Sequence, residues 1–294
     1  MTDKHSGGIP PSSRTLSCRD KNLDLSKPVV MGILNTTPDS FSDGGKFIST
    51  DAALARVSEM AGQGASIIDI GGESTRPGSD PVSVEEEISR TFPILTRAID
   101  TYPELLFSID TTKYEVAKKA LSAGVHIIND VSGLKKEPRF AGLCVDTGAA
   151  YVCMHSQGDP KTMQNNPTYK NVVENVLSEL MTTKLELNKH GVDNIIMDPG
   201  IGFGKTTEHN LSLIANLPHF LQLNCPLMIG ASRKSLIGKL LNGRAVDDRL
   251  AGTIALHYHC LMQGALILRV HDVQEAADSI DIFNAIQAEI NRTP

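Results

Sequence analysis

From residue 28 onward the apolar positions come in short solid runs, not in alternation with polar ones. The runs cover 29–34, 65–70, 105–109, 126–128, 149–154, 194–197, 226–229 and 265–270. Runs that are apolar at nearly every position, rich in Val and Ile, suit parallel strands buried on both faces. Between them lie stretches with helical spacing, among them 51–63, 83–98, 113–123, 172–190 and 247–263. Asp51 and Ser83 stand where N-caps are expected, and Ser83 with Glu86 fits a capping box. Gly64, Gly124 and Gly191 stand where C′ glycines end helices.

Eight such strand–helix units with no Pro/Gly-rich linker predict one α/β domain, a single (β/α)8 TIM barrel spanning 28–294. Its active site is then expected at the C-terminal ends of the strands. The longest irregular stretches, 36–50, 71–82 and 156–167, follow the first, second and fifth strands, where barrel loops build sites. Residues 1–27 are polar and lack an apolar core, so they read as a flexible extension and not as a signal peptide.

Composition narrows the class. In 294 residues, 28 Lys and Arg against 34 Asp and Glu leave a net charge of −6, which argues against a nucleic-acid binder. Five cysteines, scattered and with no CxxC pair, favour a reducing, cytoplasmic compartment. No apolar run approaches the roughly 18 residues of a membrane span.

The strand ends carry the chemistry. In order they read Asn35, then Gly71-Gly72-Glu73-Ser74-Thr75, Asp110, Asn129-Asp130, His155, Asp198, Ser232-Arg233-Lys234 and Arg269-Val270-His271. Any one Asp or Asn after a strand is an ordinary turn or cap residue; a full set converging on one mouth is an active site. Asp110, Asn129 and Asp198 suit the N–H and C=O edges of a flat heterocycle. Lys234, Arg269 and His271 belong near an anion. Asn35 is a neutral oxygen ligand of the kind Mg²⁺ uses when phosphate and water complete its shell. Residues 200–205 (GIGFGK) suggest a phosphate loop only superficially, matching neither GxGxxG nor GxxxxGK[ST].

These residues carry a family resemblance. Residues 31–44 (MGILNTTPDSFSDG) and 64–77 (GASIIDIGGESTRP) resemble the two long signatures of the dihydropteroate synthase family. SIDT at 108–111, IIND at 127–130, DPGIGFGK at 198–205, SRKS at 232–235 and RVHD at 269–272 follow in the family's order. The resemblance covers about residues 28–290 and implies that p-aminobenzoate is joined to (7,8-dihydropterin-6-yl)methyl diphosphate, giving 7,8-dihydropteroate and diphosphate.

It also implies a distribution of roles. Asp198 would accept the guanidine-like edge of the pterin, with Asn129, Asp110 and Thr75 around the ring and Lys234 on its carbonyl side. Arg269, His271 and Mg²⁺ on Asn35 would meet the diphosphate, so Asp110, Lys234 and Asn35 are the catalytic candidates. Thr75, Pro77, Phe203, Lys234 and Ser235 would seat the 4-aminobenzoate and the sulfonamides that mimic it. Asp39, Phe41 and Asp43 would close over the site.

A methyltransferase domain that binds a methylated pterin shares the fold, but it needs no diphosphate clamp, and the clamp residues are here. A silent pterin-binding paralogue would have lost Asn35, Asp110, Lys234 or His271, and all are present. The family also implies a homodimer through outer helices. The candidates are 250–261 and 276–290, with Tyr258, Met262, Phe283 and Ala285 supplying extra apolar surface.

Overall fold

Parallel pairing carries eight strands round a ring in chain order. The computed structural model describes residues 15–37, 49–74, 78–158, 163 and 166–292. A hairpin of β1 (Thr15–Cys18) and β2 (Lys21–Asp24) comes first. The ring strands are β3 (Val29–Asn35), β4 (Ala65–Gly71), β5 (Leu106–Asp110), β6 (Ile127–Asp130), β7 (Ala150–Met154), β8 (Ile195–Asp198), β9 (Met228–Ile229) and β10 (Ile267–Val270). Each pairs with its neighbour, β10 pairs back to β3, and a parallel bridge from Met197 to Leu227 closes the gap before β9. The expected (β/α)8 barrel is therefore present.

Helices cover the outside: α1 (Thr50–Gly62), α2 (Val84–Thr101), α3 (Tyr114–Ser122), α4 (Phe140–Thr147), α5 (Val172–Lys189), α6 (Thr207–Ala215), α7 (Ser235–Leu240), α8 (Leu250–Met262) and α9 (Val273–Ile290). Ser83 caps α2 by accepting from the Glu86 amide at 3.1 Å. The reciprocal half of the capping box is absent, because the Glu86 carboxylate turns to Arg90. The cap of α1 is Ser49, which accepts from the Ala52 amide; Asp51 lies inside the first turn.

Parity along the strands explains the solid apolar runs. Met31, Ile67, Leu106, Ile127, Val152, Ile196 and Ile267 point into the barrel and form one buried cluster. Their sequence neighbours, such as Val30, Ile68, Ile128, Ile195 and Leu268, point outward and pack under the helices. Both faces are dry, so both demand apolar residues.

The hairpin corrects one expectation. Residues 1–27 are not one flexible extension, because Leu16, Cys18, Leu23 and Leu25 are buried against the lower inner layer and plug the N-terminal mouth of the barrel. Lys21 donates to the carbonyls of Pro103 and Leu105, and Arg19 to that of Leu121, which staples the plug to the rim. Its alternation of buried and exposed residues over four-residue strands is too short to stand out in a polar context.

The outer face of α9 also differs from expectation. Phe283 is half-buried against the core and meets Tyr258 edge-on at 6.2 Å. Met262 (50%) and Ala285 are exposed as expected, and the other large apolar residues exposed along α8 and α9 are Ile282 (59%), Ile286 (43%) and Ile290 (54%). Among the described residues no helix is long and apolar enough to cross a membrane.

Candidate active site at the strand ends

Two residues above the apolar layer, the same inward parity delivers polar side chains. On β4 the inward positions run Ile67, Asp69, Gly71; on β5, Leu106, Ser108, Asp110; on β6, Ile127, Asn129; on β8, Ile196, Asp198; on β10, Ile267, Arg269. Asn35, Gly71, Asp110 and Asn129 occupy one register row across four strands. Gly71 lies between Asn35 and Asp110 in that row, and a Cβ there would make ordinary contact with the Asp110 Cβ at 3.4 Å and Asn35 Oδ1 at 3.9 Å.

Arg269 is the hub. Its Nε donates to Asp69 Oδ2 at 2.7 Å and its Nη2 to Asp110 Oδ2 at 2.6 Å. Asn129 Nδ2 donates to the same Asp69 oxygen at 2.9 Å, which fixes the orientation of the amide. Burial raises the Asp110 carboxyl above its usual range; Arg269 opposes this, while Asp69, Glu87 and Asp130 reinforce it. Asp69 Oδ1, Asp110 Oδ1 and Ser108 Oγ are buried with no hydrogen-bond partner among the described residues. Unpaired buried acceptors of this kind are strong sites for ligand N–H donors.

Asp198 sits opposite, with Oδ1 accepting from the Gly200 amide at 2.7 Å. Burial raises its carboxyl, and Lys234 is the main opposing influence. Lys234 precedes α7 and lies over Gly202, its ammonium bonded to the Ile201 carbonyl and 4.3 Å from the centre of the Phe203 ring. Burial lowers Lys234 to about 8. Phe203 is half-buried at the rim and belongs to none of the apolar clusters, so its ring is a wall of the mouth and not core filling. Ser235, the next residue after Lys234, is exposed. At six residues α7 is a short helix, so Ser235 offers chiefly its hydroxyl and its amide. Ser232 Oγ lies 3.0 Å from His271 Nδ1 and accepts from the His271 amide at 3.2 Å, tying the ends of β9 and β10 together.

Two parts of the strand-end inventory turn out to be scaffolding. Asp130 points outward and accepts from the Tyr151 hydroxyl at 2.6 Å and from the amides of Ser132 and Leu134. Glu73 accepts from Lys113 at 2.6 Å and from the Val82 amide at 2.9 Å, tying the end of β4 to the segment that precedes α2. Lys113 also reaches the fully buried Glu87.

The 200–205 loop is no phosphate cradle. Its carbonyls turn inward onto its own lysine: Lys205 Nζ donates to the carbonyls of Gly200 at 2.9 Å and Phe203 at 3.0 Å. The expected residues Asp39, Phe41, Asp43, Thr75 and Pro77 lie outside the described residues. Sequence reasoning missed Asp69, a fully buried acid within β4. Counting parity from Gly71 would have found it.

Comparison with known proteins gives a consistent answer. A family model described as "Pterin binding enzyme" matches residues 31–271. The chain is 45% identical over 272 residues to the dihydropteroate synthase of Escherichia coli K12, covering 92% of this chain and 95% of that one. Among solved structures it is similar to the dihydropteroate synthase of Xanthomonas albilineans with 4-aminobenzoic acid, at a TM-score of 0.87 and 41% identity, covering 94% and 99% of the two chains. It is likewise similar to the Yersinia pestis enzyme in complex with a sulfonamide drug, at a TM-score of 0.88 and 40% identity, covering 93% and 99%.

Proposed function

The chain belongs to the pterin-binding enzyme family, in its dihydropteroate synthase branch, and we propose how the strand-end residues divide that reaction between them. The reaction breaks the C–O bond between the pterin methylene and diphosphate, forms a C–N bond to 4-aminobenzoate, and releases an amine proton. The observation that carries the assignment is the inward polar layer of Asp69, Asp110, Asn129, Asp198 and Arg269 directly above the apolar one.

Asp198 binds the amino edge of the dihydropterin, and Asp110 with the Asn129 amide holds the rest of the ring. Asp110 also favours positive charge on the methylene as the C–O bond lengthens, which supports ionisation ahead of amine attack. Arg269 and Lys234 supply the cations near the leaving diphosphate and the pterin carbonyl, with the His271 ring beside the diphosphate. Phe203, with Thr75 and Pro77, walls the aminobenzoate ring, and Lys234 with Ser235 meets its carboxylate. Sulfonamides occupy the same slot. Asp39, Phe41 and Asp43 close the first loop over the diphosphate.

Magnesium is part of the same proposal. No group of three or more His, Cys, Asp or Glu side chains able to hold a metal occurs among the described residues. The single amide oxygen of Asn35, in the row with Asp110, fits a hard cation whose other ligands are diphosphate and water. Bound there with substrate, Mg²⁺ would neutralise charge on the leaving group.

We further propose a cytoplasmic homodimer. The five buried free thiols fit a reducing compartment. The exposed stripe of Met262, Ile282, Ile286 and Ile290 along α8 and α9 supplies apolar surface on the flank, away from the mouth. Light scattering at micromolar concentration tests this, and a mass near one chain discards the dimer. A coupled diphosphate-release assay, run with and without 4-aminobenzoate, tests the activity. Release that requires both substrates is the expected result, and no release with both present rejects the reading.

A further inference from the structure

Lys205 is buried beneath the mouth, and none of the roles above uses it. Four acceptors surround its ammonium: the carbonyls of Gly200 (2.9 Å), Phe203 (3.0 Å) and His155 (3.3 Å), and His155 Nδ1 at 3.0 Å. With Lys205 as an ammonium, which has three protons and no lone pair, His155 Nδ1 is the acceptor and the ring proton is on Nε2. That nitrogen faces Glu179 Oε2 at 3.5 Å, and Lys135 donates to the same Glu179 oxygen at 2.9 Å. The row Lys135–Glu179–His155–Lys205 thus runs from the surface of α5 to the underside of the 200–205 loop. Burial is what lowers Lys205, to about 7, with Asp198 opposing.

The loop is built to curl around this cation. Gly200 and Gly204 have φ of +69° and +61°, and a Cβ at either would fall 1.9 Å from the His155 carbonyl oxygen and 2.3 Å from that of Gln157. The remaining backbone is fixed too, with the Gly202 amide on Asn210 Oδ1 at 2.7 Å and the Gly204 carbonyl accepting from the Tyr169 hydroxyl at 2.8 Å. On the opposite side of the same six residues are the Phe203 ring and the Ile201 carbonyl that holds Lys234.

We propose that Lys205 is a positioning residue for the second substrate: its ammonium gathers the inward carbonyls of the 200–205 loop, that of Phe203 among them, and so holds the Phe203 ring in the geometry that seats 4-aminobenzoate. The pterin wall depends on it much less, because Asp198, Asp110 and Asn129 are carried by strands. This inference rests on the assignment of Phe203 to the aminobenzoate slot.

Lys205→Met removes the cation at similar side-chain length. In the full-length enzyme, KM for 4-aminobenzoate and the inhibition constant of a sulfonamide should both rise at least tenfold. kcat at saturation and the Kd of a bare pterin, measured by calorimetry, should change less than threefold. Equal loss for both substrates, or no change in KM for 4-aminobenzoate, overturns the proposal. If Lys205→Met does not fold, His155→Gln, which keeps the backbone carbonyl but moves the side-chain acceptor, is measured the same way. It should give the same split at smaller size, and an even loss there also overturns it. Wild type is assayed alongside: an inactive wild type refutes the synthase reading, whereas an active wild type with no split refutes only the role of Lys205.

Discussion

The two ends of the barrel are made by the same strands and the same inward parity, yet they do opposite work. At the N-terminal end the inner positions are Met31, Ile67, Leu106, Ile127, Ile196 and Ile267, sealed by the hairpin residues Leu16, Leu23 and Leu25. Two residues higher the inner positions include Asp69, Ser108, Asn129, Asp198 and Arg269, and Asp69 and Ser108 each carry a buried acceptor atom with no partner among the described residues. The lower end is stabilised by removing apolar surface from water. The upper end takes charges out of water and is tolerable because Arg269 is shared between Asp69 and Asp110. Stability and function are thus separated along a single axis, and mutations at the two ends should separate them experimentally.

The largest expected effect is at the top. Asp198→Asn puts an amide donor against the donor edge of the pterin and should weaken pterin binding by about 2–5 kcal/mol, with the urea midpoint nearly unchanged. Titration calorimetry on the folded variant checks it, and near-native affinity would remove Asp198 from the pterin pocket. Leu25→Ala is the counterpart at the bottom. It should lower unfolding free energy by about 2–4 kcal/mol while kcat and both KM values stay put; a loss of kcat at temperatures where the variant is folded would contradict the separation.

Smaller effects sharpen the picture. Asn35→Ala should weaken joint binding of Mg²⁺ and the diphosphate substrate by about 1–2 kcal/mol, the scale of one lost neutral ligand bond, and spare a bare pterin. Equal loss with both ligands would exclude the metal role. A further effect is the pH response of the plug. His126 at the lower rim accepts from the Phe107 amide at 3.1 Å, and burial, aided by Lys21 and Arg19, holds it down to about 4. The unfolded chain, with a histidine near 6.5, then binds more protons than the folded one between pH 6.5 and 4. Stability contributed here is complete above pH 6.5 and declines as pH falls through that window. His126→Gln should flatten that part of the urea-midpoint profile relative to wild type, and identical slopes would show that other groups set it.

Much of this was legible in the sequence. Eight solid apolar runs specified strands dry on both faces, and their count and spacing specified a barrel; Asn35, Asp110, Asn129, Asp198 and Arg269 followed from reading the strand ends. What the linear pattern left undecided was which long-range partners those residues meet. Asp69 is one letter in an apolar run until β10 brings Arg269 onto it across 200 residues. Asn129 and Asp130 are adjacent polar residues in sequence, yet strand parity sends the first into the mouth and the second outward onto Tyr151. The GIGFGK stretch has the composition of an anion cradle, and only the folded loop shows its carbonyls turned onto Lys205. Local pattern depends on which face of an element is wet, so it can be read from the chain alone. Pairing across the barrel depends on closure of the ring, which no window of sequence contains.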